Sequence, residues 1–387
     1  MARGPDRAGA GQRRPAGGDG VNIGILGNGQ LARMLALAGR PLGVGCVFYA
    51  DEVSPCTRNL GETVCGHFDD GESLDTLAKG TQRVTVEKED LPVASLEALQ
   101  ARELLAPGLQ AVAASQDRLD EKTLLRRLDI ATASFWVVDS LEDLRAAMAE
   151  AGNAAILKTR RSGYDGRGQW RLDAGSDLDA VWRELAGRPA LLEGMVPFDC
   201  ELSIIGVRGD DGECRFWPLS ENTHRDGILH ISFSRPGHPL QGRAEDILRR
   251  LMEALDYVGV LALELFLVGD ELLANEFAPR VHNSGHWTIE GAVTSQFENH
   301  VRAVAGLPLG DTAPRGYSAM INLLGEIPPV EALLAVPGVH LHCYDKAPKP
   351  GRKLGHVTLC ADDPAALQQQ LQPLYAVLGL EEGGDRS

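Results

Sequence analysis

Leu261-Ala-Leu-Glu-Leu-Phe-Leu-Val268, then Gly269-Asp270, then Glu271-Leu-Leu-Ala-Asn-Glu-Phe277, is an apolar run, a turn pair and a returning run. The pattern predicts a hairpin of strands Val258 to Val268 and Leu272 to Phe277. Glu264 interrupts a run that should be buried on both faces, and Glu276 sits beside Asn275 in the returning strand. A carboxylate left unpaired there costs several kcal/mol, so a cation is expected. A strict two-residue turn puts Glu264 opposite Asn275, whereas a three-residue loop puts it opposite Glu276. Two glutamates and an amide oxygen on one face suit magnesium, a hard cation that takes oxygen ligands and keeps phosphates and waters. The alternative is an internal salt bridge to Arg280 or Lys158.

Directly downstream lies Ala278-Pro-Arg-Val-His-Asn-Ser-Gly-His-Trp287, a dense polar run. His282 and His286 have the spacing of half a zinc site, but Pro279 and Gly285 make the segment a loop and no glutamate lies between them, so substrate contacts are expected. Upstream, Ala244 to Leu255 reads as an amphipathic core helix. Strands Ala155 to Lys158, Leu191 to Glu193 and Glu201 to Val207 suggest a small β-rich subdomain. Within it, Lys158 precedes Arg160-Arg-Ser-Gly163-Tyr-Asp-Gly-Arg-Gly-Gln169, a glycine-rich loop flanked by cations. Such a backbone closes over phosphates while its amides and the lysine neutralise charge; the alternative is a solvated hairpin tip.

At the start of the ordered chain, Val21 to Leu26 reads as a strand, Gly27-Asn28-Gly29 as a turn, Gln30 to Ala38 as a helix and Val44 to Ala50 as a second strand. This β-loop-α-β start predicts a parallel sheet. Its G-x-G-x-x-A loop and Asp51 after the second strand permit a dinucleotide-binding reading; the glycines equally serve close helix packing. Helices follow at Leu119 to Leu128 and Ser140 to Ala151, the second capped by Ser140. Near the other end, strands Ala319 to Leu324 and Val339 to Tyr344 precede a helix at Pro364 to Leu378. Tyr344-Asp-Lys346 and Pro350-Gly-Arg-Lys353 form a cationic turn, either a phosphate site or a solvated basic loop. His340 and His342 alternate along a strand and read as structural.

The 387 residues carry 38 basic and 54 acidic side chains, a formal charge of −16, and 44% are apolar. That length suits two or three packed domains. An acidic chain argues against nonspecific nucleic-acid or anionic-membrane binding, so a polyanionic ligand needs a local basic pocket. Seven cysteines (Cys46, Cys56, Cys65, Cys200, Cys214, Cys343, Cys360) without a C-x-x-C pair fit a reducing cytoplasm. No apolar run reaches the roughly 18 residues of a membrane span. Residues 1–20, rich in Gly, Ala, Pro and Arg, are expected to be a disordered extension.

Taken in order, Ile25-Leu-Gly-Asn-Gly-Gln-Leu-Ala-Arg-Met34, Gly163-Tyr-Asp-Gly-Arg-Gly-Gln169, His224-Arg-Asp-Gly-Ile-Leu229, Asn275-Glu-Phe-Ala-Pro-Arg-Val-His-Asn-Ser-Gly-His-Trp287 and the Tyr344 to Lys353 segment resemble the ATP-grasp superfamily. Within it they are most similar to the N5-carboxyaminoimidazole ribonucleotide synthetase family, the ATPase-subunit type of phosphoribosylaminoimidazole carboxylase. The resemblance runs from Val21 to about Leu378. It implies an α/β ATP-grasp fold: an N-terminal Rossmann-like pre-grasp domain at 21–114, an ATP-grasp domain at 115–310 with a β-rich lid at about 155–207, and a small C-terminal domain at 311–380.

By motif, the resemblance places Arg118 and Lys158 on ATP, with Gly163, Tyr164, Asp165, Gly166, Arg167, Gly168 and Gln169 as the closing loop. Glu193, Gly194, Met195 and Val196 become the adenine hinge, Glu201 the ribose contact, and His224, Asn275 and Glu276 further nucleotide contacts. Glu264 and Glu276 would hold magnesium. Gln30, Leu31, Glu87, Asn283, Lys346, Arg352 and Lys353 would bind the ribonucleotide substrate, the last three at its 5′-phosphate. Catalytic roles fall to Arg280 for charge neutralisation and to Asp165 or His224 for the amine proton. Two departures are small: Ala32 stands where glycine is common, and Cys200 precedes Glu201.

The implied enzyme is an ATP-dependent carbon–nitrogen ligase of purine biosynthesis that carboxylates 5-aminoimidazole ribonucleotide with bicarbonate through carboxyphosphate. It is expected to be a cytoplasmic homodimer without nucleic-acid or membrane partners. The competing readings are a formate-dependent glycinamide ribonucleotide transformylase-like ligase and a dinucleotide-binding oxidoreductase.

Overall fold

The computed structural model describes residues 20–152, 154–161, 163 and 168–380. Residues 1–19 of the expected extension and Tyr164, Asp165, Gly166 and Arg167 of the closing loop lie outside the described residues. The N-terminal sheet is parallel, as expected from its β-loop-α-β start, in the spatial order Glu62–Cys65, Gly45–Ala50, Asn22–Leu26, Arg83–Val86. The helix Gln30–Gly39 packs Leu31, Met34 and Leu35 inward at helical spacing. Its first turn begins at the carboxyl end of the Asn22–Leu26 strand, which aims the backbone amides of Gly29, Leu31 and Ala32 at one point.

A second, antiparallel sheet of four strands runs in the order Phe135–Val138, Ala190–Gly194, Ala154–Thr159, Gln169–Asp173. It corrects the lid expected at 155–207 at both ends. Phe135–Val138 joins it as an edge strand, while Cys200–Arg208 leaves it for the large sheet. The reason is burial: residues 202–207 of that strand are buried on both faces, which suits a central position and not a small two-layer lid.

The large sheet has nine strands among the described residues. Its main path is Glu271–Ala278, Gly259–Val268, Cys200–Arg208, Ser220–Arg225, Ile228–Ser234, Tyr317–Leu324, Lys353–Ala361, His340–Cys343, with Cys214–Phe216 paired on Cys200–Arg208. The segment expected as a C-terminal domain at 311–380 therefore shares its sheet with the ATP-grasp portion, through pairs such as Ile231 with Ile321. The helix Pro364–Leu378 covers that end with Leu367, Leu371 and Leu374. No helix among the described residues is long and apolar enough to cross a membrane.

Candidate active site

The hairpin resolves the register question with a device that the turn length alone does not supply. Val268 pairs with Glu271, so the turn has two residues, and Leu265 pairs with Ala274; Leu263 then pairs with Phe277 instead of with Glu276. One extra residue is thus inserted opposite Glu264, and Asn275 and Glu276 together face it. A β-bulge of this kind sets two residues against one and re-aims their side chains.

The helix Arg118–Arg127 braces the bulge. Lys122 Nζ donates to the Asn275 carbonyl at 2.7 Å, and the Phe277 N–H donates to Glu121 Oε1 at 2.6 Å. Arg118 Nη1 donates to Glu276 Oε2 at 2.8 Å, and Arg118 Nη2 approaches the Gly163 carbonyl at 3.5 Å. Lys158 Nζ donates to Glu193 Oε2 at 3.0 Å, with Lys122 Nζ at 3.6 Å from the same oxygen. Neither salt bridge offered as the alternative to a cation forms: Glu276 takes Arg118, and Arg280 takes Glu89 at 2.7 Å.

These contacts set the charges. Burial pushes the Glu276 carboxyl up, but Arg118, Lys158 and Lys122 outweigh it and hold it down at about 2. Burial and then the neighbouring Glu276 push Glu121 up to about 8. Burial also works against the Glu193 carboxylate, but Lys158 and Lys122 prevail and lower its pKa. Glu193, expected in the adenine hinge, thus turns its side chain inward as the counter-ion of two lysines. Asn275 Oδ1 and Glu193 Oε1 are buried acceptors without a partner.

A divalent cation fits this end of the site. No group of three His, Cys, Asp or Glu among the described residues is placed to hold a metal ion by itself; Glu264, Glu276 and the unpartnered Asn275 oxygen are a hard-oxygen set. That pattern suits magnesium, which takes one or two carboxylates and completes its shell with phosphates and water. Glu201, His224, Glu264 and Asn275 line one pocket with Asn222 and Phe266. His224 Nδ1 contacts a Glu201 carboxylate oxygen. Burial disfavours the imidazolium, but this carboxylate prevails and raises the pKa of His224.

At the other end, Glu87 occupies the start of the first helix: its oxygens accept from the Gly29 N–H at 2.6 Å and the Leu31 N–H at 3.1 Å. A Cβ on Gly27, whose φ is +130°, would fall 2.4 Å from Glu87 Oε2. The helix N-terminus is already filled by the Glu87 carboxyl group, whose pKa burial raises, so no room remains there for a dinucleotide pyrophosphate, and the oxidoreductase reading fails on this point. Asp51 lies near His67 at 3.3 Å, with both side chains exposed.

Lys346 donates to Gln30 Oε1, and its charge is felt by Glu87, Arg352 and Lys353; burial lowers its pKa. Gln30, Leu31, Glu87, Lys346, Arg352 and Lys353 thus share one neighbourhood. Asn283 is buried in a reciprocal amide pair with Asn322, at 3.1 and 2.7 Å.

Sequence reasoning missed four contributors, Asp117, Glu121, Lys122 and Glu89, and expected His282 on substrate where the structure sets it beside Glu264. Asp117 binds Arg160 through two bonds of 2.9 Å and Arg161 at 3.1 Å, so these loop-flanking cations already have a carboxylate. His282 Nε2 lies 3.3 Å from Glu264 Oε1. One signal was available: Arg118, Glu121, Lys122 and Leu125 recur at i, i+3, i+4 and i+7, the inward stripe of a helix, and all four are buried.

A parallel pre-sheet, a small antiparallel lid carrying a lysine, and a large sheet carrying a carboxylate pair and a bulge define an ATP-grasp ligase. Residues 123–297 match the ATP-grasp domain family, 21–116 the ribonucleotide synthetase preATP-grasp domain, and 318–370 the phosphoribosylaminoimidazole carboxylase C-terminal domain. More narrowly, the chain belongs to the N5-carboxyaminoimidazole ribonucleotide synthase family. It is 49% identical over 358 residues to the synthase of Pseudomonas aeruginosa, covering 92% of this chain and 99% of that one. The crystal structure of the Thermus thermophilus synthetase superposes with a TM-score of 0.87 at 52% identity, covering 92% of this chain and 98% of that one. The Aspergillus clavatus synthase, solved with ADP and 5-aminoimidazole ribonucleotide, superposes at 0.86 and 30% identity, covering 93% and 99%.

Proposed function

We propose that this chain catalyses the ATP- and bicarbonate-dependent carboxylation of 5-aminoimidazole ribonucleotide to N5-carboxyaminoimidazole ribonucleotide, releasing ADP and phosphate, in purine biosynthesis. The observation that carries the reading is a two-ended site: cations and carboxylates around the bulge at one end, and the Gln30, Glu87 and Lys346 cluster at the other.

Bicarbonate is a poor electrophile and needs activation. Its oxygen attacks the γ-phosphorus of ATP, the bond to ADP breaks, and carboxyphosphate forms. The exocyclic amine of the ribonucleotide then attacks the carboxyl carbon, phosphate leaves with the C–O bonding pair, and the amine loses a proton. Phosphoryl transfer mostly requires positioning and charge neutralisation. In this reading Arg118 and Lys158 face the transferred phosphoryl group, and Arg280, steadied by Glu89, faces the carboxyl. Magnesium held by Glu264 and Glu276 supplies further neutralisation. Asp165, outside the described residues, and His224 are the two candidates for the amine proton. The residues at 163–169 keep the task of excluding water from carboxyphosphate.

Gly194 to Val196 remain the proposed adenine hinge, Glu201 the ribose contact, and Arg352 and Lys353 join Lys346 at the 5′-phosphate. Seven cysteines free of disulfides support a reducing, cytoplasmic setting. The homodimer rests on the family resemblance, and sedimentation of the purified chain checks it.

The deciding experiment follows ADP release with bicarbonate, with and without aminoimidazole ribonucleotide, against formate with glycinamide ribonucleotide. Stimulation by the first pair is expected. Stimulation by formate and glycinamide ribonucleotide alone would move the chain to the transformylase-like reading.

A further inference from the structure

Behind the carboxylate pair runs a buried row of hydrogen bonds that no step above uses. Ser232 Oγ donates to Asn222 Oδ1 at 2.7 Å, and Asn222 Nδ2 donates to Ser203 Oγ at 3.1 Å. Ser203 Oγ and Ser284 Oγ are 2.6 Å apart, Ser284 Oγ is 2.8 Å from His282 Nδ1, and His282 Nε2 is 3.3 Å from Glu264 Oε1. Ser203, Ser232 and Ser284 are fully buried and Asn222 is 8% exposed. The row crosses strand register directly: Asn222 pairs with Ser232, and Ser203 with Glu264.

Hydroxyl hydrogens rotate and amides flip, so the direction of such a row needs one donor that cannot be redrawn. The Ser284 backbone N–H is that donor. It points at His282 Nδ1 at 3.4 Å, which makes Nδ1 an acceptor. The turn that aims it is pinned: the Trp287 indole N–H donates to Ser220 Oγ at 2.9 Å, and Ser220 Oγ donates to the Ser284 carbonyl at 3.2 Å. A Cβ on the next residue, Gly285, would fall 2.4 Å from Ile205 Cδ1. With Nδ1 accepting, the Ser284 hydroxyl donates to it, Ser203 donates to Ser284, and Asn222 donates to Ser203. Each hydrogen is used once.

We infer that Asn222, Ser203 and Ser284 are positioning residues that lock His282 in the tautomer with its proton on Nε2, so that the imidazole presents an N–H, and no lone pair, to Glu264. The hydrogen bond a ring nitrogen makes on one side sets what the other side offers. An N–H beside Glu264 Oε1 holds that carboxylate in place and turns its other oxygen to the cation. It also withholds an imidazole ligand that would recruit softer metals. The role of Glu264 as a metal ligand rests on the reading above; the tautomer does not.

The test is nitrogen-15 spectroscopy of the histidine rings in the full chain, without nucleotide or metal, at neutral pH. The His282 signals are assigned by their loss in His282→Asn or, should that variant not fold, by their movement in Ser203→Ala. The expected wild-type pattern is a protonated Nε2 and an unprotonated Nδ1. Ser284→Ala removes one donor to Nδ1 and should shift the tautomer ratio about fivefold to tenfold; Ser284→Thr, which keeps the hydroxyl, should restore it. A protonated Nδ1 in the wild type, or a ratio indifferent to both Ser284→Ala and Ser203→Ala, overturns the proposal. Turnover on a different substrate pair with the expected tautomer would instead overturn the functional reading and leave this one standing.

Discussion

Arg118 Nη1 lies 2.8 Å from Glu276 Oε2, so the guanidinium expected on a phosphate is held by a carboxylate expected on the metal. The Arg118 side chain is 10% exposed and the Glu276 side chain 42% exposed, so the pair balances two strong charges at an open face until nucleotide brings its own charges. With its pKa at about 2, Glu276 stays ionised throughout the neutral range. Glu276→Gln keeps the shape and removes the charge. Turnover should fall at least about 10²-fold, the scale for losing one electrostatic stabiliser; near-normal ADP release would take Glu276 out of the metal site.

Glu193 is 3% exposed and faces two lysines. Glu193→Ala leaves both ammonium groups buried with no carboxylate between them. Removing one partner of a buried ionic set costs about 3–5 kcal/mol. Urea unfolding of the variant should show that loss, and an unchanged midpoint would mean that water reaches Lys122 and Lys158.

Gly27→Ala sets a methyl group against Glu87 Oε2 at a backbone angle that L-residues avoid. The carboxylate must move off the helix amides, and the cluster of Gln30 and Lys346 moves with it. The expected result is a KM for the ribonucleotide raised about tenfold or more, on the scale of one charge-assisted hydrogen bond, with the KM for ATP little changed. Equal effects on both substrates would show that the two ends of the site are not separable in this way.

His300 is enclosed, with Nδ1 accepting from the Val260 N–H at 3.0 Å and Nε2 2.8 Å from Thr85 Oγ1. Burial pushes the ring down from 6.5 to about 3. Between those values the unfolded chain binds a proton that the folded chain refuses. Stability is therefore full above 6.5 and falls as pH drops through the window, by up to about 1.4 kcal/mol per pH unit for this one group. Thermal midpoints taken from about pH 8 to about pH 5 should fall less steeply in His300→Gln than in the wild type. Parallel curves would assign the acid sensitivity to other groups.

The strands that read well in the sequence are those whose burial is one-dimensional. The helix Pro364–Leu378, the strand Asn22–Leu26 and the Ser140 cap, which accepts from the Asp143 N–H at 3.0 Å, all follow from local pattern. The hairpin turn was legible too, but the bulge at Asn275 and Glu276 was not, because a bulge answers to a neighbouring helix and leaves alternation in the strand almost intact. Periodicity that looks for apolar residues passes over Arg118, Glu121 and Lys122, though their spacing is that of a core face. The membership of Cys200–Arg208 in the large sheet depends on pairing with Gly259–Val268, some fifty residues away in sequence, which no local window contains.

Because Tyr317–Leu324 is zipped to Ile228–Ser234 and to Lys353–Ala361, the Lys353 side of the acceptor end and the Glu264 and Glu276 side of the nucleotide end belong to one continuous sheet. Such a plan resists modular exchange: grafting the last seventy residues from another ligase would tear a row of backbone hydrogen bonds across the middle of the sheet and leave an open edge. New acceptor preferences in proteins built this way are more readily reached by changing side chains at strand ends and in the adjoining loops than by trading whole segments.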